Sequence, residues 1–134
     1  MIGAIIGDIV GSRFEFGAAP QEGFELFTPD CSYTDDTVCT VAVADAVLNG
    51  RSYQESLLDW CRRYPDPMGG YGNRFNRWIH SEHPQPMDSF GNGAAMRVCP
   101  IGWLFDEWED VLEDAKKSAI VSHNHPEGVK GAQC

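Results

Sequence analysis

The sequence has 134 residues, enough for one domain that buries roughly two-thirds of the surface its unfolded chain exposes. Its 20 acidic and 10 basic residues give a formal charge of −10, which argues against nucleic acid or an anionic membrane as a partner. The five cysteines form no CxxC pair, so we expect neither a disulfide framework nor a zinc ribbon, but a reducing, cytoplasmic location.

Apolar residues recur at helical spacing and no segment alternates as a strand does, so we expect an all-α fold. The first helix, Met1–Ser12, is apolar almost all round, and its glycines at four-residue spacing predict close approach by another helix or loop. Asp8 interrupts this apolar run and no basic segment precedes it, so we predict neither a signal peptide nor a membrane span.

Three signals bound the next two helices. Thr34 is a predicted N-cap, and Asn49-Gly50 is a predicted stop for the helix that Thr34 begins. Ser52–Glu55 has the pattern of a capping box and predicts the start of the following helix.

The second half of the chain is predicted to contain four further helices. We expect a short one within residues 73–81, and an apolar one over residues 94–104 that Pro100 kinks. Asp106–Glu109 predicts a second capping box, opening an amphipathic helix, and Pro126 suits the first turn of the last helix.

The segment Tyr33–Thr37 joins two carboxylates and two hydroxyls at a helix start. Asp35 and Asp36 offer the hard oxygen ligands that Mg²⁺ or Ca²⁺ prefers, and the helix dipole favours their ionised form. An ordinary capped helix has the same local sequence, so both interpretations stay open from these residues alone.

The segment Ser89–Arg97 contains a glycine loop that leads into a predicted helix start. Free backbone N–H groups there can hold a phosphate, Arg97 can add a cation, and Phe90 can stack on a base or a ribose. The alternative is a plain connecting loop with Arg97 in a structural ion pair.

Two further groups of polar residues stand out. His123 and His125 can bind a transition metal or a sugar hydroxyl, although a plain helix start is equally compatible with their positions. Asp8 and Glu15 are seven residues apart and would share a helix face, and an acid in an apolar helix needs hydrogen bonds or a metal.

Taken in order, the motifs GDxxGSxxE, YTDDT, SxGNGAAMR and SHNHPEGxxGA resemble the ADP-ribosylglycohydrolase family from Gly7 through Ala132. The resemblance implies an all-α orthogonal bundle that binds two Mg²⁺ ions at the bottom of an ADP-ribose cleft. It also implies substrates that are proteins or small molecules carrying ADP-ribose.

The resemblance assigns roles residue by residue. It implies Thr34, Asp35 and Asp36 as metal ligands, with Asp36 and Glu15 as candidates for activating water or protonating the leaving group. Its implied ligand-binding residues are Ser89, Phe90, Gly91, Asn92, Gly93 and His123.

One part of the family pattern is absent from the sequence. The family's second ligand set, an Asp-x-Asp-Thr/Ser motif, does not occur between Phe90 and Cys134. We therefore expect residues 1–134 to be the N-terminal portion of a single domain, an incomplete bundle that is inactive or weakly active. The unpartnered apolar faces would then favour self-association, especially around Val129 and the stripe through Val111, Leu112 and Ala119.

These considerations lead to one main hypothesis and two alternatives. The main hypothesis is Mg²⁺-dependent hydrolysis of the glycosidic bond between ADP-ribose and an acceptor. One alternative is a non-catalytic ADP-ribose-binding or crystallin-like structural protein on the same scaffold, and the other is a transition-metal protein using His123 and His125.

Overall fold

The computed structural model describes residues 1–134 as seven α-helices and two short 3₁₀ helices, without a β-strand. The helices are α1 (Ile2–Gly11), α2 (Asp35–Asn49), α3 (Tyr53–Arg63), α4 (Asn73–Ile79), α5 (Cys99–Leu104), α6 (Trp108–Ile120) and α7 (Pro126–Gln133). Extended pairing is limited to one isolated bridge between Thr34 and Met68. The all-α prediction is confirmed.

The main core lies between α2, α3 and α4. Helix α2 packs along α3, and α1 and α5 both pack against α2. The buried apolar residues of this core are Val38, Cys39, Ala42, Leu57, Cys61, Phe75, Trp78 and Ile79. Burying this apolar surface is the main driving force that fixes α2, and therefore the polar residues at its start.

The predicted bounds of α2 and α3 are confirmed. The Thr34 hydroxyl accepts a hydrogen bond from the backbone N–H of Asp36 at 3.2 Å, as an N-cap does. Gly50 ends α2 in the left-handed conformation, at φ 62°, where a residue without Cβ is unstrained. The Ser52 hydroxyl caps α3 by accepting from the Glu55 N–H at 3.1 Å.

The prediction of one kinked helix over residues 94–104 is wrong. A 3₁₀ turn over Asn92–Ala94 is followed by a separate helix, α5, which has Pro100 in its first turn. Pro100 lies in the first turn of this helix and does not bend it. Backbone N–H groups in a first turn have no acceptor within the helix, so a proline there breaks no hydrogen bond.

Two other local predictions also fail. Glu107 rather than Asp106 is the N-cap of α6, and no side chain caps this helix. No other part of the chain lies within 4 Å of where a Cβ would stand on Gly3, Gly7 or Gly11, so the glycine stripe of α1 has no close packing partner.

Helices α6 and α7 pack against each other, which corrects the expectation that their apolar stripes have no partners. Ala119 of α6 and Ala132 of α7 form a second small core with Ala94, and Val129 packs against it. Exposed apolar residues remain on α6, at Trp108 with 64% exposure, and elsewhere, notably Ile2 at 71% and Trp103 at 74% exposure. None of the seven helices combines the length and the apolar character that a bilayer crossing requires.

Candidate functional site

The site is built on the junction between α1 and the start of α2. The Asp8 carboxylate accepts hydrogen bonds from the Thr34 N–H at 2.9 Å and the Thr34 hydroxyl at 2.5 Å. It also accepts from the Thr37 N–H at 3.2 Å and the Thr37 hydroxyl at 2.5 Å. These four bonds explain an acid in an apolar helix: Asp8 holds the first turn of α2 and is satisfied without a metal.

The carboxylates of Asp35 and Asp36, in the first turn of α2, accept no such hydrogen bonds. Burial, followed by repulsion from Asp36 and Glu15, raises the pKa of Asp35 to about 6. Burial, followed by repulsion from Asp8 and Glu15, raises the pKa of Asp36. Neither carboxylate takes part in any salt bridge of the chain. The start of α2 therefore concentrates negative charge that no cation of this chain neutralises.

These carboxylates line a cavity of about 750 Å³, here called the carboxylate cavity. Its wall includes Glu15, Thr34, Asp35, Asp36, Gly7 and Gly11. The glycine stripe of α1 thus borders open space beside the acids instead of a second helix. Glu15, seven residues after Asp8, lines the cavity from the turn that follows the 3₁₀ helix Ser12–Phe14, so it does not share a face of α1 with Asp8 as predicted.

The donor set suits a hard divalent cation only in part. The Thr34 hydroxyl donates to Asp8 and accepts from Asp36, which leaves one lone pair for a ligand. Two ionisable carboxylates stand beside it, a combination that Mg²⁺ favours. No group of three or more His, Cys, Asp or Glu side chains in the chain is arranged to hold a metal ion. The start of α2 therefore supplies part of a ligand set.

A glycine-rich segment between α3 and α4, which no sequence prediction assigned to the site, forms another wall. Gly69 through Asn73 line the carboxylate cavity, with Gly69 at φ 79° and Gly70 at φ 71°. A Cβ on Gly69 would lie 3.1 Å from the Glu15 Oε2 atom and 3.1 Å from the Phe16 ring. The cluster of three glycines in four residues was the available signal, because it marks a backbone that approaches other groups closely.

The predicted phosphate loop borders a second cavity of about 330 Å³, here called the loop cavity. Ser89, Gly91, Asn92, Gly93 and His123 all line it, as predicted for a ligand-binding group. The two cavities adjoin, since Asp35 and Asn92 line both. Two motifs more than 50 residues apart in the sequence therefore form one continuous cleft.

His123 fixes the inner wall of the loop cavity. It is 5% exposed, and burial, followed by the charges of Arg97 and Arg74, lowers its pKa to about 4. The imidazole is therefore neutral at physiological pH. Its Nδ1 atom lies 2.9 Å from the Ser122 hydroxyl, which accepts an N–H of Arg97 at 2.9 Å. A Ser122 proton donated to Nδ1 would leave the histidine proton on Nε2.

Two glycines allow this wall to close. A Cβ on Gly93 would lie 2.8 Å from the His123 Nε2 atom. A Cβ on Gly128 would lie 2.7 Å from the Ser89 carbonyl oxygen. Larger residues at either position would force the loop and the imidazole apart, so the shape of the cavity depends on both glycines.

Three predicted residues take other positions. Arg97 is fully buried and donates to the Ser118 carbonyl at 2.8 Å, so the prediction of a phosphate-binding cation there is wrong. Phe90 lies outside both cavities, 71% exposed, with its ring 5.3 Å from that of His125. The His125 Nδ1 atom accepts the Glu127 N–H and caps α7, which uses this nitrogen for structure rather than for a metal.

The sequence is similar to those of known proteins. The sequence profile of the ADP-ribosylglycohydrolase family matches residues 1–134. The chain is 27% identical to ADP-ribosylhydrolase ARH3 of Xenopus tropicalis, over 98% of this chain and 46% of the relative. It is 28% identical to ADP-ribosylhydrolase ARH3 of Mus musculus, over 98% of this chain and 45% of the relative. It is 27% identical to ADP-ribosylhydrolase ARH3 of Homo sapiens, over 98% of this chain and 46% of the relative.

The chain thus spans less than half the length of the curated relatives it matches. Within that span it carries the acidic turn, the glycine loop and the histidine wall in one cleft. Because the family profile covers every residue of the chain, this protein belongs to the ADP-ribosylglycohydrolase family.

Proposed function

We propose that this chain forms the substrate cleft of a Mg²⁺-dependent hydrolase that cleaves the glycosidic bond between ADP-ribose and an acceptor. The substrate is an ADP-ribosylated protein or a small molecule that carries ADP-ribose. The observation that carries the proposal is the junction of the carboxylate cavity and the loop cavity at Asp35 and Asn92. A reactive end rich in carboxylates and a binding end rich in glycine N–H groups suit an anionic ligand whose sugar is attacked at one end.

Thr34, Asp35 and Asp36 would hold the cation. Their uncompensated charge, with both carboxylate pKa values raised by burial, supports this assignment. A divalent cation bound there would supply Lewis acidity that orients ribose hydroxyls and lowers the pKa of water. The four hydrogen bonds of Asp8 would keep the ligand-bearing turn rigid while the ligand binds.

Asp36 and Glu15 would handle the protons of the reaction. Both border the carboxylate cavity, where positive charge would develop at the anomeric carbon during cleavage. Carboxylates stabilise such a transition state electrostatically, and one of them can take a proton from the attacking water. The exposed position of Glu15 beside Gly69 would allow it to approach or leave the substrate.

At the other end of the cleft, the loop over Ser89–Gly93 would hold the diphosphate. Its glycines carry no side chains that would keep a phosphate away from the backbone, and His123 would donate one neutral N–H to a ligand oxygen. A neutral donor there would contact the ligand without adding a charge that changes near pH 7.

A second candidate function is ADP-ribose binding without turnover, as in a structural protein on the same scaffold. The observation that favours it is the lack of any group of three or more potential ligand side chains positioned for a metal. In that case the glycine loop would still bind ADP-ribose, and the acids would have no catalytic cation.

One set of titrations separates these proposals. ADP-ribose binding would be measured by calorimetry with Mg²⁺ and with EDTA, and ADP-ribose release from an ADP-ribosylated peptide would be assayed in parallel. Release that requires Mg²⁺, even at a low rate, supports the hydrolase, whereas ADP-ribose binding that is the same in Mg²⁺ and in EDTA, without release, supports the binding protein. A chain that neither binds nor releases ADP-ribose contradicts both.

The matched variants are Asp36→Ala and Glu55→Ala, which each remove an acid from the first turn of a helix. We expect Asp36→Ala to abolish Mg²⁺-dependent turnover and to weaken Mg²⁺ binding, while Glu55→Ala leaves both at the wild-type level. Circular dichroism would check that the helices persist in both variants. Wild-type turnover by Asp36→Ala would remove this residue from the mechanism.

We also infer that the chain self-associates and is located in the cytoplasm. Exposed apolar side chains such as Ile2 and Trp103 support association, and five free cysteines suit a reducing compartment. Sedimentation velocity across a concentration series would detect association, and a constant monomer would contradict it. Cell fractionation would test the location.

A further inference from the structure

A basic groove lies beside the cleft in a protein whose formal charge is −10. Arg74 and Arg77 of α4 line this cavity of about 360 Å³, here called the arginine groove, together with Trp78, His83 and Gln85. No carboxylate lines it, and neither arginine takes part in a salt bridge. Two unneutralised guanidinium groups on one wall form a site for an anion.

Trp78 supplies an aromatic, rigidly held part of the groove wall. It is 3% exposed, and its Nε1–H has no hydrogen-bond acceptor in the protein. Stacking on Phe75 at a centroid distance of 5.3 Å holds the indole in place. The Nε1 atom itself is closed off from the groove, so the indole offers a ligand there apolar contact rather than a hydrogen bond.

The arginine groove continues the cleft. Arg74 and Met87 line both the loop cavity and the arginine groove. Arg74 donates one N–H to the Met87 carbonyl, which fixes its guanidinium at this boundary and leaves its other N–H groups for a ligand. The order along the cleft is therefore carboxylate cavity, loop cavity and arginine groove.

This order gives the ligand a direction. In the proposed reaction the bond cleaved is at the ribose that carries the acceptor, so that ribose lies at the carboxylates. The diphosphate then occupies the loop cavity, and the adenosine end of ADP-ribose lies nearest Arg74 and Arg77. Adenosine itself is uncharged, so ADP-ribose alone leaves Arg77, which lines the arginine groove but not the loop cavity, without an anionic partner.

We propose that the arginine groove binds a phosphate attached to the adenosine ribose, so that the preferred ligands are ADP-ribose units phosphorylated at that sugar. The inference rests on the proposed function, because it uses the direction in which ADP-ribose lies. The guanidinium groups of Arg74 and Arg77 neutralise the phosphate. Inorganic phosphate has the same chemistry and is the competing source of the anion.

Calorimetric titration with ADP-ribose and with ADP-ribose 2′-phosphate tests the subsite directly. We expect the phosphorylated ligand to bind about 10-fold more tightly, as one or two charge-assisted hydrogen bonds predict. Equal affinities would overturn the subsite and leave the ADP-ribose cleft intact. Binding of neither ligand would overturn the subsite and the proposed function together.

The matched variants are Arg77→Gln and Lys116→Gln. Both remove one positive charge from an exposed position, but Lys116 lies on α6 outside the arginine groove. We expect Arg77→Gln to reduce the preference for the phosphorylated ligand to less than about 3-fold, and Lys116→Gln to keep it near 10-fold. An equal loss in both variants would show only a long-range charge effect and would overturn the assignment.

A titration with inorganic phosphate distinguishes the two sources of the anion. We expect it to bind at least about 10-fold more weakly than the linked phosphate, because it gains nothing from the rest of the cleft. Inorganic phosphate binding as tightly as ADP-ribose 2′-phosphate would overturn a nucleotide subsite in favour of a site for the free ion.

Discussion

The starts of α2 and α3 look alike in sequence and differ in structure. Each has a hydroxyl N-cap and an acid in the first turn, with Thr34 before Asp35 and Asp36, and Ser52 before Glu55. At α3 the cap is local, since Ser52 accepts the Glu55 N–H. At α2 the cap extends to α1, where Asp8 accepts from residues 26 and 29 positions further along the chain.

This difference shows when a capped helix becomes a site. A local cap satisfies N–H groups and leaves the first-turn acid in water, as at the exposed Glu55. At α2 an acid from another helix adds to the local cap, because Asp8 accepts the N–H groups of Thr34 and Thr37 while the Thr34 hydroxyl accepts that of Asp36. Packing against α1 then partly buries the first-turn carboxylates of α2, which raises the pKa of Asp35 and of Asp36.

The largest expected effect comes from removing the long-range cap. Asp8→Ala should lower the free energy of unfolding by about 3 kcal/mol, because two backbone N–H groups and two hydroxyls lose their acceptor. Glu55→Ala should change it by less than about 0.5 kcal/mol, as for an exposed residue. Urea denaturation of the two variants would measure both. Equal effects would mean that the two helix starts are alike after all.

His123 tests whether burial without an opposite charge shifts pKa values in the rest of the cleft, as it does at the start of α2. Its pKa falls from 6.5 to about 4 on folding, so between these values the unfolded chain binds more protons than the folded one. The contribution of His123 to the free energy of unfolding should therefore be fully present above pH 6.5. It should fall by about 2 kcal/mol as the pH drops to 4. The difference in slope between wild type and His123→Gln, measured by thermal denaturation, would isolate this group. Parallel pH profiles would contradict the buried, neutral imidazole.

The two N-caps themselves provide a finer comparison. Ser52→Ala removes a local cap and should cost about 1 kcal/mol. Thr34→Ala should cost about 2 kcal/mol, because the Thr34 hydroxyl also donates to Asp8. Denaturation of both variants and of Asp8→Ala,Thr34→Ala would give the coupling energy. An additive double variant would show that Thr34 and Asp8 stabilise the helix independently.

The smallest expected effect has the opposite sign. The pKa of Asp35 rises from 3.8 to about 6 on folding, so its ionisation destabilises the metal-free protein as the pH rises through 6. Asp35→Asn should therefore be about 1 kcal/mol more stable than wild type at pH 7 in EDTA, after allowance for partial exposure. This gain should vanish below pH 3.8, where the carboxyl is neutral in both states.

Mg²⁺ provides the control for that last variant. If Asp35 is a ligand, Mg²⁺ should raise the melting temperature of the wild type and leave that of Asp35→Asn unchanged. A loss of stability in Asp35→Asn at pH 7 would mean that the carboxylate stabilises the fold, as an ordinary first-turn acid does.

The sequence by itself determined the helices whose signals are local. Thr34, Gly50 and Ser52 bound α2 and α3 because capping and the left-handed stop involve hydrogen bonds within one turn. The ordered motifs also identified the family, and at least one residue of each motif lines the cleft. Local signals failed at Pro100 and Asp106, where a proline in a first turn and an acid one residue too early mimic other patterns.

Only the tertiary structure decided which of the charged residues do what. Asp8 and Asp35 are both acids near a helix end, yet one is fully hydrogen-bonded and the other is not. Arg97 follows the glycine loop and Arg77 lies on α4, yet Arg97 is buried in the core and Arg77 lines a groove. Burial and hydrogen-bond partners depend on contacts between residues distant in sequence, which periodicity and capping patterns do not encode.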